Sequence, residues 1–270
     1  MKNADTFVAL VLAADRTTSD PITTYTGAAC KAIAPICGTP MILRVLDALE
    51  ASSQVASIVL CGPPESVLSD CPELKQRIES GRVTWLANLD APSRSAQRGF
   101  EHLDSDTPVL LTTADHALLT TDIVDYFLTE SRATNSDATL GLVRHEDIVA
   151  AFPDSKRTVM RLRDGGLCGC NLYTFNGRGR ELVTFWRQVE DKRKRPWQLI
   201  AHILDLRLIL AYLFGLLTLE RALKAVSDKL DIQIQAVILP FPQAGVDVDK
   251  VEDLHLAESI LTNRTSPTNK

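Results

Sequence analysis

With 270 residues, 45% of them hydrophobic and 23% charged, the chain can bury a sizeable core and has the composition of a soluble globular enzyme. Its formal net charge of −5 excludes a global attraction to nucleic acid, so no nucleic-acid partner is expected and a polyanionic ligand needs a local positive site. The cysteines Cys30, Cys37, Cys61, Cys71, Cys168 and Cys170 match no zinc-ligand spacing, and the first apolar run is too brief for a signal peptide, so reduced thiols in the cytoplasm are expected.

Phe7 to Ala14 (FVALVLAA) is an apolar run of strand length, suited to a parallel strand buried on both faces. A polar loop from Asp15 to Cys30 follows. After Pro40, Met41, Ile42, Val45, Leu46 and Leu49 recur on one helical face. Val55 to Cys61 predicts a second strand ending at Gly62-Pro63-Pro64. Glu65 to Glu79 reads as a helix, Val83 to Leu86 as a short strand and Ser93 to Leu103 as a helix. Pro108 to Thr113 is another buried strand, Thr121 to Ser131 another helix and Ala138 to Val143 a fifth strand. This alternation predicts an α/β fold with a doubly wound, mostly parallel sheet.

Beyond Arg144 the pattern loosens. Thr158 to Leu162 and Asn171 to Phe175 read as strands about a Gly165-Gly166 turn, and residues 179–230 as a helical insertion. Trp197 to Leu217 is rich in Leu and Ile, but His202, Asp205 and Arg207 near its middle disfavour a membrane span. Ile232 to Leu239 is a late strand, Val251 to Leu261 a closing helix and 263–270 a polar tail expected to fray. No repeat or linker divides the chain, so residues 1–270 read as one domain.

Three constellations carry candidate chemistry. Leu12-Ala13-Ala14-Asp15-Arg16 leaves the first strand, and Lys31 follows ahead of Pro35, Gly38 and Pro40. Ligands of open α/β sheets bind beyond the carboxyl ends of strands, where a loop can aim backbone N–H groups at phosphates. Arg16 and Lys31 are therefore candidates for neutralising a triphosphate, or else are ordinary surface charges. Asp115, just after the strand LLTT, suits Mg²⁺, which takes one or two protein carboxylates, and equally suits a helix cap. Its neighbour His116 reads as structural. Asp247 and Asp249 alternate on an extended segment, so only one of them readily faces a metal held by Asp115. Glu252 and Asp253 lie in a first helical turn, where acids offset the dipole.

Taken in order, LAADR…K…PICGTPMI, TTADHALL and VDVDKVEDL resemble the MobA-like NTP-transferase domain superfamily. That superfamily includes molybdenum-cofactor guanylyltransferases, the cytidylyltransferases of isoprenoid and Kdo synthesis, and sugar-phosphate nucleotidyltransferases. The resemblance covers most of residues 7–143 and 232–262. It implies a Rossmann-like, glycosyltransferase-A-type fold. It also implies Mg²⁺-dependent transfer of a nucleoside monophosphate from an NTP, CTP or GTP favoured, to a small phosphorylated or hydroxyl acceptor. On this resemblance Leu12, Ala13, Ala14, Arg16 and Lys31 would hold the triphosphate, and Asp115 with Asp247 or Asp249 would hold Mg²⁺. Ser93 and Ser95 would contact base or ribose, while Gly169 and Asn171 would line the acceptor side. Asp15 stands where the family loop has glycine, and the gap from Arg16 to Lys31 is long, both marks of a divergent subfamily.

Two other readings stay open from the residues: an inactive nucleotide-sensing or partner-binding protein on this scaffold, and an A-type glycosyltransferase with Asp247-Val248-Asp249 as its metal motif. No G-x-G-x-x-G follows the first strand, which argues against a dinucleotide dehydrogenase. The basic run Lys192-Arg193-Lys194-Arg195 and the apolar residues after it, over 192–217, fit peripheral docking on the anionic inner face of a membrane and a lipid-precursor acceptor. The same stretch fits a helical lid or a homodimer interface.

Overall fold

The structure, a computed structural model, describes residues 6–13, 20–191 and 206–265. In chain order it contains β1 (Phe7–Leu12), α1 (Pro21–Thr26), the short hairpin β2 (Pro35–Ile36) and β3 (Thr39–Pro40), and α2 (Met41–Glu50). Then come β4 (Val55–Cys61), α3 (Pro72–Glu79), β5 (Val83–Leu86), α4 (Pro92–Glu101), β6 (Val109–Thr113), α5 (Thr121–Ala133), β7 (Ala138–Arg144) and α6 (His145–Ala151). The remainder is β8 (Met160–Leu162), β9 (Gly165–Phe175), α7 (Glu181–Asp191), α8 (Leu206–Leu213), α9 (Leu219–Leu230), β10 (Ile234–Ile238) and α10 (Val251–Thr265).

One sheet has the order β10-β7-β9-β6-β1-β4-β5, with β8 paired to β9. Pairings β1–β4, β1–β6, β4–β5 and β7–β10 are parallel, as the alternating pattern predicts. All six residues of β1 are buried, because helices cover both faces of the sheet at its centre. One apolar cluster joins β1 and β4 to α2 and α5, and a second joins the other face to α4 and α7. A third lies beneath α1, the β2–β3 hairpin and α10. This is a mixed, mostly parallel α/β sheet of Rossmann-like type.

Several elements differ from the sequence expectation, each for a local reason. The first strand ends at Leu12, two residues early. The loop to Cys30 contains α1, a helix too short to show periodicity. It is defined by its ends: Asp20 accepts a hydrogen bond from the Ile22 N–H at 2.8 Å, Pro21 opens it and Gly27 closes it at φ 71°. The helix expected over Glu65 to Glu79 divides into a 3-10 turn, Glu65–Asp70, and α3, because Pro72 restarts the helix. β9 begins at Gly165, six residues before the expected strand, and runs antiparallel between β6 and β7. The expected closing helix ends at Leu261, whereas α10 runs on to Thr265.

Two glycines set the approach of elements around the site. A Cβ at Gly62 (φ 85°) would lie 2.8 Å from the carbonyl oxygen of Ala13, so glycine lets the end of β4 close on the end of β1. At Gly179, just before α7, a Cβ would lie 1.9 Å from the Asp137 carbonyl oxygen.

Candidate functional site

The parallel strands β1, β4, β5 and β6 end on one edge of the sheet, and the charged residues singled out from sequence gather there. Lys31 opens a 3-10 turn between α1 and the β2–β3 hairpin. Asp115 follows β6 by two residues, and Asp249 precedes α10 by two. The Lys31 ammonium lies 2.8 Å from Asp115 Oδ2 and 2.6 Å from Asp249 Oδ1. A backbone bond from Val248 N–H to the Asp115 carbonyl (3.1 Å) ties the late segment to the end of β6. Thr113 donates its hydroxyl to Asp115 Oδ1 at 2.5 Å.

Burial works against both charges, and pairing overrides it. For Lys31, desolvation alone would lower the pKa, but Asp115 and Asp249 together raise it. For Asp115, desolvation is opposed by the Lys31 charge and by hydrogen bonds from Lys31 and Thr113, which hold the carboxyl below its usual range. The centre is therefore a lysinium held between carboxylates. His116 is buried beside Asp115; desolvation lowers its pKa to about 4 against the opposing effect of the Asp115 charge, so it is neutral near pH 7.

Asp247 and Asp249 turn to different partners. Asp247 Oδ1 accepts from Arg157 Nη1 at 2.9 Å, and its Oδ2 accepts from Asn171 Nδ2 at 3.3 Å. The same Arg157 Nη1 donates to the Asp247 backbone carbonyl at 2.9 Å, Nη2 donates to Asp253, and Nε donates to Ser155 Oγ at 2.9 Å. Asp253 in turn accepts from the N–H groups of Asp249 (3.2 Å) and Lys250 (3.0 Å), so it caps α10 as well as offsetting its dipole. Burial, then the nearby charges of Asp115 and Asp249, raise the Asp247 pKa against the opposing effect of Arg157. Arg157 went unseen in the sequence because it lies in an irregular stretch with no strand or helix to give it direction.

A cavity of about 410 Å³ opens from this centre. Lys31, Thr113, Asp115, Asn171 and Asp249 line its polar end, together with Leu12 and Ala13. The Ala13 N–H is committed to the Cys61 carbonyl at 2.9 Å, so it is not a donor for a phosphate. Ala14, Asp15 and Arg16 lie outside the described residues, as does the basic run 192–195. Asn171 reaches the cavity from a bulge in the β7–β9 pairing, at φ 50°, a conformation asparagine tolerates. Gly169 is exposed on the same strand and is not part of the cavity wall. Ser93 and Ser95 are buried at the start of α4: the Ser95 hydroxyl accepts from Leu89 N–H at 2.9 Å, and the Ser93 N–H donates to Glu190 of α7 at 3.1 Å. Pro92 represents that helix start in the wall. Among the described residues, no group of three or more His, Cys, Asp or Glu is arranged to hold a metal.

Residues 9–165 match the family described as the MobA-like NTP transferase domain. No curated protein matches the chain. Among solved structures, a hypothetical transferase from Thermus thermophilus is similar over 92% of this chain and 99% of its own, with 28% identity and a TM-score of 0.76. A CMP:2-keto-3-deoxy-manno-octonic acid synthetase complexed with CTP is similar over 96% of this chain and 99% of its own, at 14% identity and a TM-score of 0.57. The 4-diphosphocytidyl-2C-methyl-D-erythritol synthase of Anaerococcus prevotii covers 96% of this chain and 97% of its own, at 12% identity and a TM-score of 0.60. At these identities the last two share the fold.

Proposed function

This chain belongs to the MobA-like NTP transferase domain family and is a nucleotidyltransferase; we propose that it transfers CMP, or GMP as the second choice, from the NTP to a small phosphorylated or hydroxyl acceptor at the Lys31–Asp115–Asp249 centre. The observation that carries this reading is the Lys31 ammonium lying between Asp115 and Asp249 at the carboxyl edge of the sheet. CTP is favoured over GTP because two of the similar structures bear cytidylyl names.

A divalent cation is part of the proposal, and Asp115 and Asp249 would hold it. Asp115 and Asp249 offer hard oxygen ligands of the kind Mg²⁺ takes, and a cationic group already sits between them. Asp247, engaged by Arg157 and Asn171, would then orient the segment that carries Asp249. When bound, Mg²⁺ would supply Lewis-acid stabilisation of charge on the phosphates.

In the reaction an acceptor oxygen attacks the α-phosphorus in line, an O–Pα bond forms and the bridging Pα–O bond to the β-phosphate breaks. Pyrophosphate leaves with the electron pair. A phosphate acceptor is already anionic and needs no general base, which agrees with a neutral, buried His116. Lys31 contributes positive charge where negative charge develops, and Arg16 is the second cation of the proposal. Thr113 holds the Asp115 carboxylate in its orientation.

The test is thermal stabilisation by each of the four NTPs, with and without Mg²⁺, on the natural chain and on Asp115→Ala. Selective, Mg²⁺-dependent stabilisation by one NTP, absent from the variant, is expected. Turnover should also fall on the order of 10²–10³-fold in Asp115→Ala. Wild-type turnover in that variant removes Asp115 from the site, and no shift with any NTP sinks the reading. The six free cysteines support a reducing, cytoplasmic setting for the reaction.

A further inference from the structure

We propose that the acceptor of this reaction is amphiphilic: its reacting head lies at Lys31 and Asp115, and an apolar group fills the chamber between β6, β9 and α7. This rests on the transferase reading of the same site. The basis is a polarity gradient written along two paired strands. On β9, Tyr173 and Phe175 are two apart and face the same side of the sheet, and both line the cavity together with Asn171 from the bulge before them. On β6 the same happens with Thr113 and Leu111, and Leu111 is paired directly with Tyr173. Both strands thus go from a polar residue near the charged centre to apolar residues further along.

The roof repeats the pattern. Leu182, Val183 and Trp186 of α7 line the cavity from above, on one helical face. The phenol of Tyr173 is the one acidic group among these inner walls, and burial raises its pKa, so the inner wall carries no charge. Protein interiors leave few gaps larger than a water molecule, and ligand sites commonly measure about 300–1,000 Å³. The whole cavity of about 410 Å³, of which these walls bound the apolar part, has the size of a ligand site.

A triphosphate or ribose would find almost no hydrogen-bond partners here, and burying them unpaired is unfavourable. Its apolar walls lie on β6, β9 and α7, whereas Leu12, Ala13 and Pro92 line the same cavity from the side of β1 and α4. An alkyl or isoprenoid-like chain, or an aromatic ring, meets the chemistry of the walls.

The experiment measures calorimetric binding of n-alkyl monophosphates, from methyl to decyl, to the full chain with Mg²⁺. Affinity should rise about fourfold per methylene and level off once the chamber is filled. Leu182→Asn should weaken decyl phosphate at least tenfold and leave methyl phosphate unchanged. Trp186→Ala, which enlarges the roof, should move the plateau to longer chains, a gain that misfolding cannot imitate.

An affinity independent of chain length, or a length dependence indifferent to both variants, overturns the inference. So does a chamber that holds the nucleobase, which would appear as altered NTP selectivity in both variants with a flat alkyl series. NTP stabilisation measured on the same samples separates the two claims. If it persists with a flat series, only the amphiphilic acceptor fails. If it is absent while the series rises, the transferase reading fails and the chamber remains an apolar binding site.

Discussion

Arg157 has a side chain only 6% exposed and four donated hydrogen bonds, three of them to the segment that carries the late acids. Arg157→Met leaves the largely buried Asp253 and the half-buried Asp247 without this cation, and breaking a buried pair typically destabilises by about 3–5 kcal/mol. Urea unfolding should show a loss of that size, and adding Asp247→Asn should restore part of it. Thiol chemistry gives a second check at this scale. Cys37 is exposed, whereas the other five cysteines are buried, and burial pushes the Cys61 thiol up to about 11. Since the thiolate reacts, about one Cys61 in a thousand is reactive at pH 8. Native protein should therefore release one thiol equivalent quickly to an aromatic disulfide, and five only on unfolding; fast reaction of Cys61 would contradict its burial. Asp115 was singled out in sequence because it stands just past a buried strand, Lys31 because of the resemblance of its segment to the family, and Asp249 only as one of two alternating acids, the choice between them needing the folded chain. Arg157 has no such pattern around it, and only the folded chain reveals what it holds.

Helix α7 forms one wall of the cavity, and its seat is fixed by a backbone contact. Gly179 lies against the Asp137 carbonyl so closely that a methyl group there requires the backbone itself to move. Gly179→Ala should therefore destabilise by about 1–3 kcal/mol, the range of an overpacked core. It should also displace α7, so a fluorescence change at Trp186 is expected; an unchanged melting temperature would show that the turn yields freely. Elements whose apolar period is long were readable: β1, β4, β6, α2 and α5 follow from runs and repeats of hydrophobic residues. The short or mixed ones were not. α1 has six residues, and Pro72 breaks a helix whose apolar pattern alone looks continuous. β9 hid its first half in the glycine-rich GLCG, where a turn signal masks a strand that pairs on both sides.

Across the whole molecule, no helix of the described residues is long and apolar enough to cross a membrane. The end of α8 and the turn after it nevertheless expose Leu213 at 71%, Phe214 at 74% and Leu216 at 55%. If the peripheral docking suggested by the basic sequence 192–195 operates, anionic vesicles should carry the protein upward in flotation. The double substitution Leu213→Ser and Phe214→Ser should abolish this, and failure of the natural chain to float ends the lipid-surface proposal. The Lys31–Asp249 pair has another consequence at this scale. Its partners are separated by 218 positions, so one half of the centre is made long before the other. At roughly 5–20 residues per second, a ribosome needs about 10–40 s to travel that distance. Throughout that interval the growing chain holds a lysine without its second counter-charge. On the proposed reading of this centre, competence for chemistry arrives in a single late moment of translation, and a nascent chain arrested short of Asp249 carries most of the sheet but no finished Lys31–Asp249 pair.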